Sequence, residues 1–259
     1  MLKAIYDTFP TLDEWGDLLT EVVAPSPGSD LALDDEWWPY LPTSTLVSVG
    51  LGSAREHLHA VRVLVAAEEL FPSATPTLCR SALVGASQSV WILLPDERHE
   101  RLRRSLSLAV EDYDRHIQHA KDVLEHYPPD QIASTADEQI DRLELRRGQV
   151  LSLLDEVGGR CSINLTETVI PAAFEYTVPS IALRGQMTPR WRSMSGAAHA
   201  LAWHFFGNEG TTAVDLDEGG VGRVNVAGDF ERLLMDYFTA YHVAVAGWRL
   251  LRERSNASE

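Results

Sequence analysis

Apolar residues recur along most of this chain at three- and four-residue steps, the spacing of one helix face. In TLDEWGDLLTEVV, Leu12, Trp15, Leu18 and Leu19 fall on one side of a short amphipathic helix, and APSPGSD breaks it. From Thr43 to Leu70, Val61, Leu64 and Val65 make an apolar stripe that ends at Phe71 and Pro72. Thr75 followed by Pro76 reads as an N-cap with proline at the first helical position. The helix it opens is rich in Ala, Ser and Gly, stops at Pro95 and Asp96, and is expected to pack closely against its neighbours.

Two long segments follow. Leu102, Leu106, Ala109, Tyr113, His116, Ala120, Val123 and Tyr127 alternate steps of four and three, which is a heptad seam. After PPDQIAST, Thr135 and Glu138 have the spacing of a capping box. Ile140, Leu143, Arg147, Val150, Leu154 and Val157 then continue the seam to Gly158 and Gly159. Two adjacent heptad helices with a short connection predict an antiparallel hairpin. The apolar stretch from Thr166 to Leu183 carries Pro171 and Pro179, so a broken or kinked helix is expected. Gly185 is read as a turn, and Thr188 with Pro189 as the start of a further helix running to about Phe206.

The period then changes to two. AVDLD and RVNVA alternate apolar and polar residues around EGGVG, a small β-hairpin over residues 213–227. Asp229 caps a last helix with Phe230, Leu233, Leu234, Tyr237, Tyr241, Val245 and Trp248 on one face. The expected fold is all-α: a bundle of about seven helices with a long antiparallel helical hairpin and one β-hairpin insertion. Residues 1–42 form an N-terminal arm that Trp37 and Trp38 pin to the body, and residues 43–254 form a single helical domain.

Composition narrows the chemistry. The chain has 38 Asp and Glu against 22 Lys and Arg, a formal charge of −16. That disfavours non-specific nucleic-acid binding without excluding a local basic pocket. Lys3 and Lys121 are the only lysines, so arginine carries the positive charge. Cys79 and Cys161 stand outside any CxxC or Cys/His pattern, which gives no support to a zinc cluster. The start, MLKAIYDTFP, lacks the apolar run of a signal peptide, and no segment approaches the ~20 apolar residues of a membrane span. A soluble cytoplasmic protein without membrane attachment is expected. His57 and His59 diverge on a helix; His116 and His119, near Glu111 and Asp112, share a face that reads as solvated. EGGVG lacks the spacing and lysine of a phosphate loop, and no cofactor or metal is implied.

The sharpest chemistry lies in residues 190–200, RWRSMSGAAHA. Arg192 and His199 are seven apart, hence within about 20° on one helix face and ~10 Å apart along the axis. One such pair does not easily grip a single phosphate. A two-fold axis would bring two arginines and two histidines around one cleft, and small Ser195 and Gly196 would permit the approach. An arginine there stabilises phosphodiester charge, and a histidine near neutral pKa moves a proton at a ribose oxygen. The competing reading is structural: Arg192 in a salt bridge and His199 as a satisfied core histidine.

An arginine, a polar residue, a few more residues and a histidine resemble the short signature of the HEPN superfamily, here Arg192 and Ser193, then MSGAA, then His199. The spacing is at the long end of that family's range, and serine replaces its more usual Asn, Asp or His. The chain is also similar to a broad group of uncharacterised bacterial helical proteins with an R-S-A-L…W-I-L-L helix, as in Arg80 to Leu94. The resemblance implies an all-α homodimer, and a metal-independent endoribonuclease of a toxin or phage-defence type. It assigns the phosphate to Arg192, proton transfer to His199 and a supporting role to Ser193. Arg184, Arg190 and Arg223 would supply an RNA-binding basin. The alternative is a non-catalytic helical dimer that binds a protein or small ligand; the acidic surface fits a basic regulatory partner.

Overall fold

The computed structural model describes residues 2–20, 24–126, 135–178, 180–206, 210–215, 217–220 and 222–257. The protein is all-α with one two-stranded sheet. Helices α1 (Leu2–Tyr6), α2 (Phe9–Thr20) and α3 (Asp30–Asp35) lead into α4 (Thr43–Ala66), α5 (Ala74–Leu93), α6 (Arg98–His126) and α7 (Thr135–Glu156). A π-helical turn (Leu165–Val169) runs into α8 (Ile170–Thr177), then α9 (Ile181–Ala198) and a 3-10 turn (Ala202–Phe205). Strands β1 (Thr211–Val214) and β2 (Arg223–Val226) precede α10 (Phe230–Ser255). Seven of these helices have twelve residues or more.

Helix α5 lies at the centre, against α4, α8, α9 and α10. Its small residues allow this. A Cβ on Gly50 would lie 2.5 Å from Ser89 Oγ and 2.8 Å from the Gly85 carbonyl, and one on Gly85 would strike the Gly50 carbonyl. The main core gathers Leu51, Leu58, Leu83, Val90 and Leu93 from this crossing, with Ile5, Leu12 and Trp15 from the arm and Tyr237, Val243 and Trp248 from α10.

A second core fills the α6–α7 hairpin. The helices are antiparallel: Lys121 pairs with Glu144 and Arg147 with Asp114, while Arg103 Nε donates to the Gly159 carbonyl at 2.9 Å. On α7 the expected seam is buried except at Arg147. On α6 it holds through Tyr113 and then passes to Ile117, leaving His116 exposed. A straight helix drifts about 20° per heptad from a 3.5-residue repeat, which moves the buried position by one residue. The expected capping box at Thr135 lies outside the described side chains. Trp38 does pin the arm, donating from Nε1 to the Tyr113 hydroxyl at 3.2 Å. Buried Asp34 adds a second tether, accepting from Arg101 Nε at 2.8 Å.

The segment around Pro189 departs from expectation. Neither Gly185 nor Thr188 interrupts the chain; α9 passes through both and holds Pro189 inside it. Proline removes the amide that would bond to the Gly185 carbonyl. Residues 181–190 are mostly exposed, so water reaches the released carbonyl. The helix also ends earlier than expected, at Ala198, and not near Phe206. Ala200 takes a left-handed conformation with φ 54°. The Leu201 amide returns to the Gly196 carbonyl at 2.9 Å, and the Ala200 amide to Ala197 at 3.1 Å, which is a Schellman stop. The β-hairpin forms, with β2 inside RVNVA, but β1 begins at Thr211, two residues before AVDLD, and ends at Val214; Thr211 lies opposite Val226 and Val214 opposite Arg223.

An L-residue with a Cβ is strained in that left-handed position. Ala200→Gly is expected to stabilise the fold by about 1 kcal/mol. Urea unfolding of both proteins checks this, and an unchanged or lowered midpoint would contradict it.

Candidate functional site on helix α9

Polar tethers set the rotation of α9. Trp191, Met194, Gly196 and Ala197 are buried, and the Trp191 Nε1–H donates to Thr166 Oγ1 at 3.2 Å. Arg80 stacks over the Trp191 ring at 5.0 Å and donates from Nε to Ser195 Oγ at 3.1 Å. Arg232 donates from Nη2 to Ser193 Oγ and from Nη1 to the His204 carbonyl, each at 2.7 Å. Gly196 is needed for closeness, because a Cβ there would sit 2.7 Å from the Trp203 ring.

Ser193, Ser195 and Gly196 therefore face their own chain. The expectation that Ser195 and Gly196 open a close approach to a second copy is corrected: Arg80 and Trp203 occupy that side. Arg192 and His199 are both exposed. Neither side chain makes a hydrogen bond or ion pair among the described residues, so the salt-bridged arginine and buried histidine of the structural reading are not what α9 holds. His199 itself is the C-cap, with φ −96° and ψ 10°. His204 is the buried histidine; its Nδ1 donates to the Leu201 carbonyl at 2.5 Å and its Nε2 lies 3.2 Å from Ser73 Oγ.

The expected basin of arginines divides. Arg184 is paired with Glu175 at 3.3 Å, and exposed Arg223 with Asp215 at 2.5 Å on its own hairpin. Arg190, half-buried, has no carboxylate within ion-pair distance among the described residues, and the same holds for Arg192. Local positive charge on α9 comes from those two. Among the described residues no group of three His, Cys, Asp or Glu side chains is placed to hold a metal ion.

Sequence reading missed Arg80, Arg232 and Asp236. Asp236 is fully buried, one turn from Arg232 on α10, with Oδ2 3.7 Å from Arg232 Nε. Its carboxylate oxygens make no hydrogen bond among the described residues. Burial raises its pKa to about 7, with Arg232 and then Arg190 opposing the rise. Burial likewise lowers the pKa of Arg232. A signal was present: Asp236 stands between Leu233 and Tyr237, at a three-residue step where the α10 stripe calls for an apolar side chain.

No known protein family matches the chain, and neither does any curated protein or solved structure. The resemblance to the HEPN superfamily thus rests on the α9 residues and the helical architecture.

The raised Asp236 pKa has a defined sign. Between about pH 4 and pH 7 the folded carboxyl keeps a proton that the unfolded chain has released, so its contribution to stability is lost as pH rises and is level above 7. The slope from one such group is at most about 1.4 kcal/mol per pH unit. Urea unfolding across that range is expected to show this slope in the wild type and its loss in Asp236→Asn. Parallel profiles would mean that the group ionises as in water.

Proposed function

We propose that the chain is a metal-independent endoribonuclease of HEPN type, active as a homodimer and working in the bacterial cytoplasm in a toxin or phage-defence role. The observation that carries this reading is the exposure of Arg192 on α9 and of His199 at its C-cap, neither with a hydrogen bond or ion pair among the described residues. The tethers beneath the helix hold both toward solvent. In the reaction, the ribose 2′-hydroxyl attacks phosphorus, the P–O5′ bond breaks, and a cyclic phosphate and a 5′-hydroxyl result. His199 moves a proton at one of the ribose oxygens, and Arg192 balances the extra negative charge on the phosphorane-like transition state. Arg190 adds positive potential. Ser193 acts from below, as the Arg232 acceptor that orients the turn carrying Arg192.

The outer face also supports a second reading. Leu183, Leu201, Trp203 and Phe206 are exposed apolar residues on or just beyond α9. Such residues suit a helical dimer or binding module that takes a protein partner without cleaving anything.

The two readings part in one assay. Wild-type protein incubated with total RNA in EDTA is expected to cleave it and to have a dimeric mass in solution. Arg192→Ala and His199→Ala are each expected to lose activity by about a hundredfold or more, with unchanged unfolding midpoints because both side chains are exposed. A folded dimer that leaves RNA intact would remove the ribonuclease reading and leave the binding module.

A further inference from the structure

Helix α5 is buried almost all round, yet one stripe of it is uncovered. From Ala82 to Leu93 every residue is buried except Val84 and Gln88. These continue the line of Arg80 and Ser81, and together they form one wall of an open groove of about 540 Å³. Helix α4 supplies the second wall with Val49, Ser53 and His57, and α6 the third with Leu108, Glu111 and Asp112. The volume lies within the usual range of small-molecule sites.

The groove has an apolar floor and an uneven charge. Glu111 is committed to Arg115 and Arg160, each at 3.0 Å. Arg80 has no carboxylate partner among the described residues. Its Nε is spent on Ser195 and its plane lies over Trp191, which fixes the guanidinium and leaves Nη1 and Nη2 without a hydrogen bond among the described residues. Two parallel N–H groups in a fixed plane match an oxyanion bidentately. Burial lowers the Arg80 pKa, the mark of a cation partly stripped of water. On the α4 wall, His57 Nδ1 donates to the Ser53 carbonyl at 2.7 Å, so in the neutral ring Nε2 is an acceptor. Gln88 makes no side-chain hydrogen bond among the described residues.

Two further clefts among the described residues lack this combination. The one beside Asp229 and Arg232 holds about 20 Å³. The one between α2 and α10, about 390 Å³, is lined by charges that pair with each other, Arg252 with Glu14 at 2.5 Å and Arg249 with Glu253 at 3.7 Å.

We propose that the groove between α4, α5 and α6 binds a small organic oxyanion, a carboxylate or phosphate on a flat apolar body. Arg80 takes the anionic head, Val49, Val84 and Leu108 the body, and Gln88 and His57 its polar edge. Asp112, exposed on the α6 wall, turns the anionic head away from itself and toward Arg80. This site uses neither Arg192 nor His199 and does not depend on the ribonuclease reading, although Arg80 also touches α9 through Ser195 and Trp191.

Calorimetric titration of the full chain with 1-naphthoate, 1-naphthyl phosphate and uncharged 1-naphthol tests it. At least one charged probe is expected to bind ten times more tightly than 1-naphthol, and the stronger of the two identifies the head group as carboxylate or phosphate. Arg80→Met and Val49→Trp are each expected to weaken that probe tenfold or more. Val49 is 67% exposed, so a tryptophan there fills the groove without disturbing Arg80, Ser195 or Trp191. That variant decides the matter if Arg80→Met fails to fold. No binding of either charged probe at millimolar concentration, equal binding of 1-naphthol, or full affinity in folded Val49→Trp would overturn the proposal.

Discussion

Where α4 crosses α5, Gly50 and Gly85 bring two backbones together with no side chain between them, and Ser89 ties the crossing by donating to the Val47 and Gly85 carbonyls at 3.1 and 3.0 Å. Everything around α5 is arranged by this closeness. A helix pressed against α4 on one side can still be covered by α8, α9 and α10 on others, but only if its own side chains are small. Ala82, Ala86, Ser87 and Ser89 meet that demand. The α6–α7 hairpin has its own core and touches α5 lightly, so one stripe of the central helix stays open. The groove is thus a by-product of two cores meeting along a helix that only one of them surrounds.

Helix α9 is attached over its second half only. Its first ten residues bury little, and beyond them Trp191 and Met194 enter the main core. Arg80 to Ser195, Arg232 to Ser193 and Trp191 to Thr166 then fix the helix about its axis. Apolar contacts tolerate some rotation of a helix about its axis, whereas hydrogen bonds with fixed directions do not. With Ser193 and Ser195 turned inward, Arg192 and His199 must point to solvent. Buried Asp236 makes the arrangement more costly, because it brings a carboxyl group with no hydrogen bond among the described residues close to the same guanidinium that clamps Ser193.

Elements with a strong period were legible in the sequence. The hairpin of α6 and α7 and the last helix, α10, lie where their spacing put them, because in each the apolar period is long enough to outweigh local exceptions; the short β1 starts two residues earlier than its alternation suggested. The short α3 was not visible: six residues carry too few turns for a period to emerge. Pro189 misled because a proline after threonine opens helices far more often than it sits inside one, and only solvent exposure makes it tolerable here. At the candidate site, Arg192 and His199 were legible as a pair on one face. The inward role of Ser193 and Ser195 was not, since their partners, Arg232 and Arg80, are 39 and 115 residues away in sequence. No local pattern records a tether of that length.

The use of arginine links the two candidate sites. In a chain with 38 acidic residues, most arginines have an obvious partner, as Arg101 has Asp34, Arg147 has Asp114 and Arg254 has Asp30 and Asp96. Six have none among the described residues; Arg55, Arg142 and Arg146 lie elsewhere, and Arg80, Arg190 and Arg192 lie on α9 or against it. Leaving a cation unpaired within an acidic molecule does not create long-range attraction, for the net field at a distance remains negative. Its effect is confined to about a Debye length, roughly 8 Å at physiological salt. An anion must therefore already be in contact before these arginines favour it. That suits a small oxyanion entering a sheltered groove better than a polyanion captured from solution. An RNA substrate would need either a short, unstructured stretch reaching the α9 face or a second copy of the chain doubling the local positive charge there.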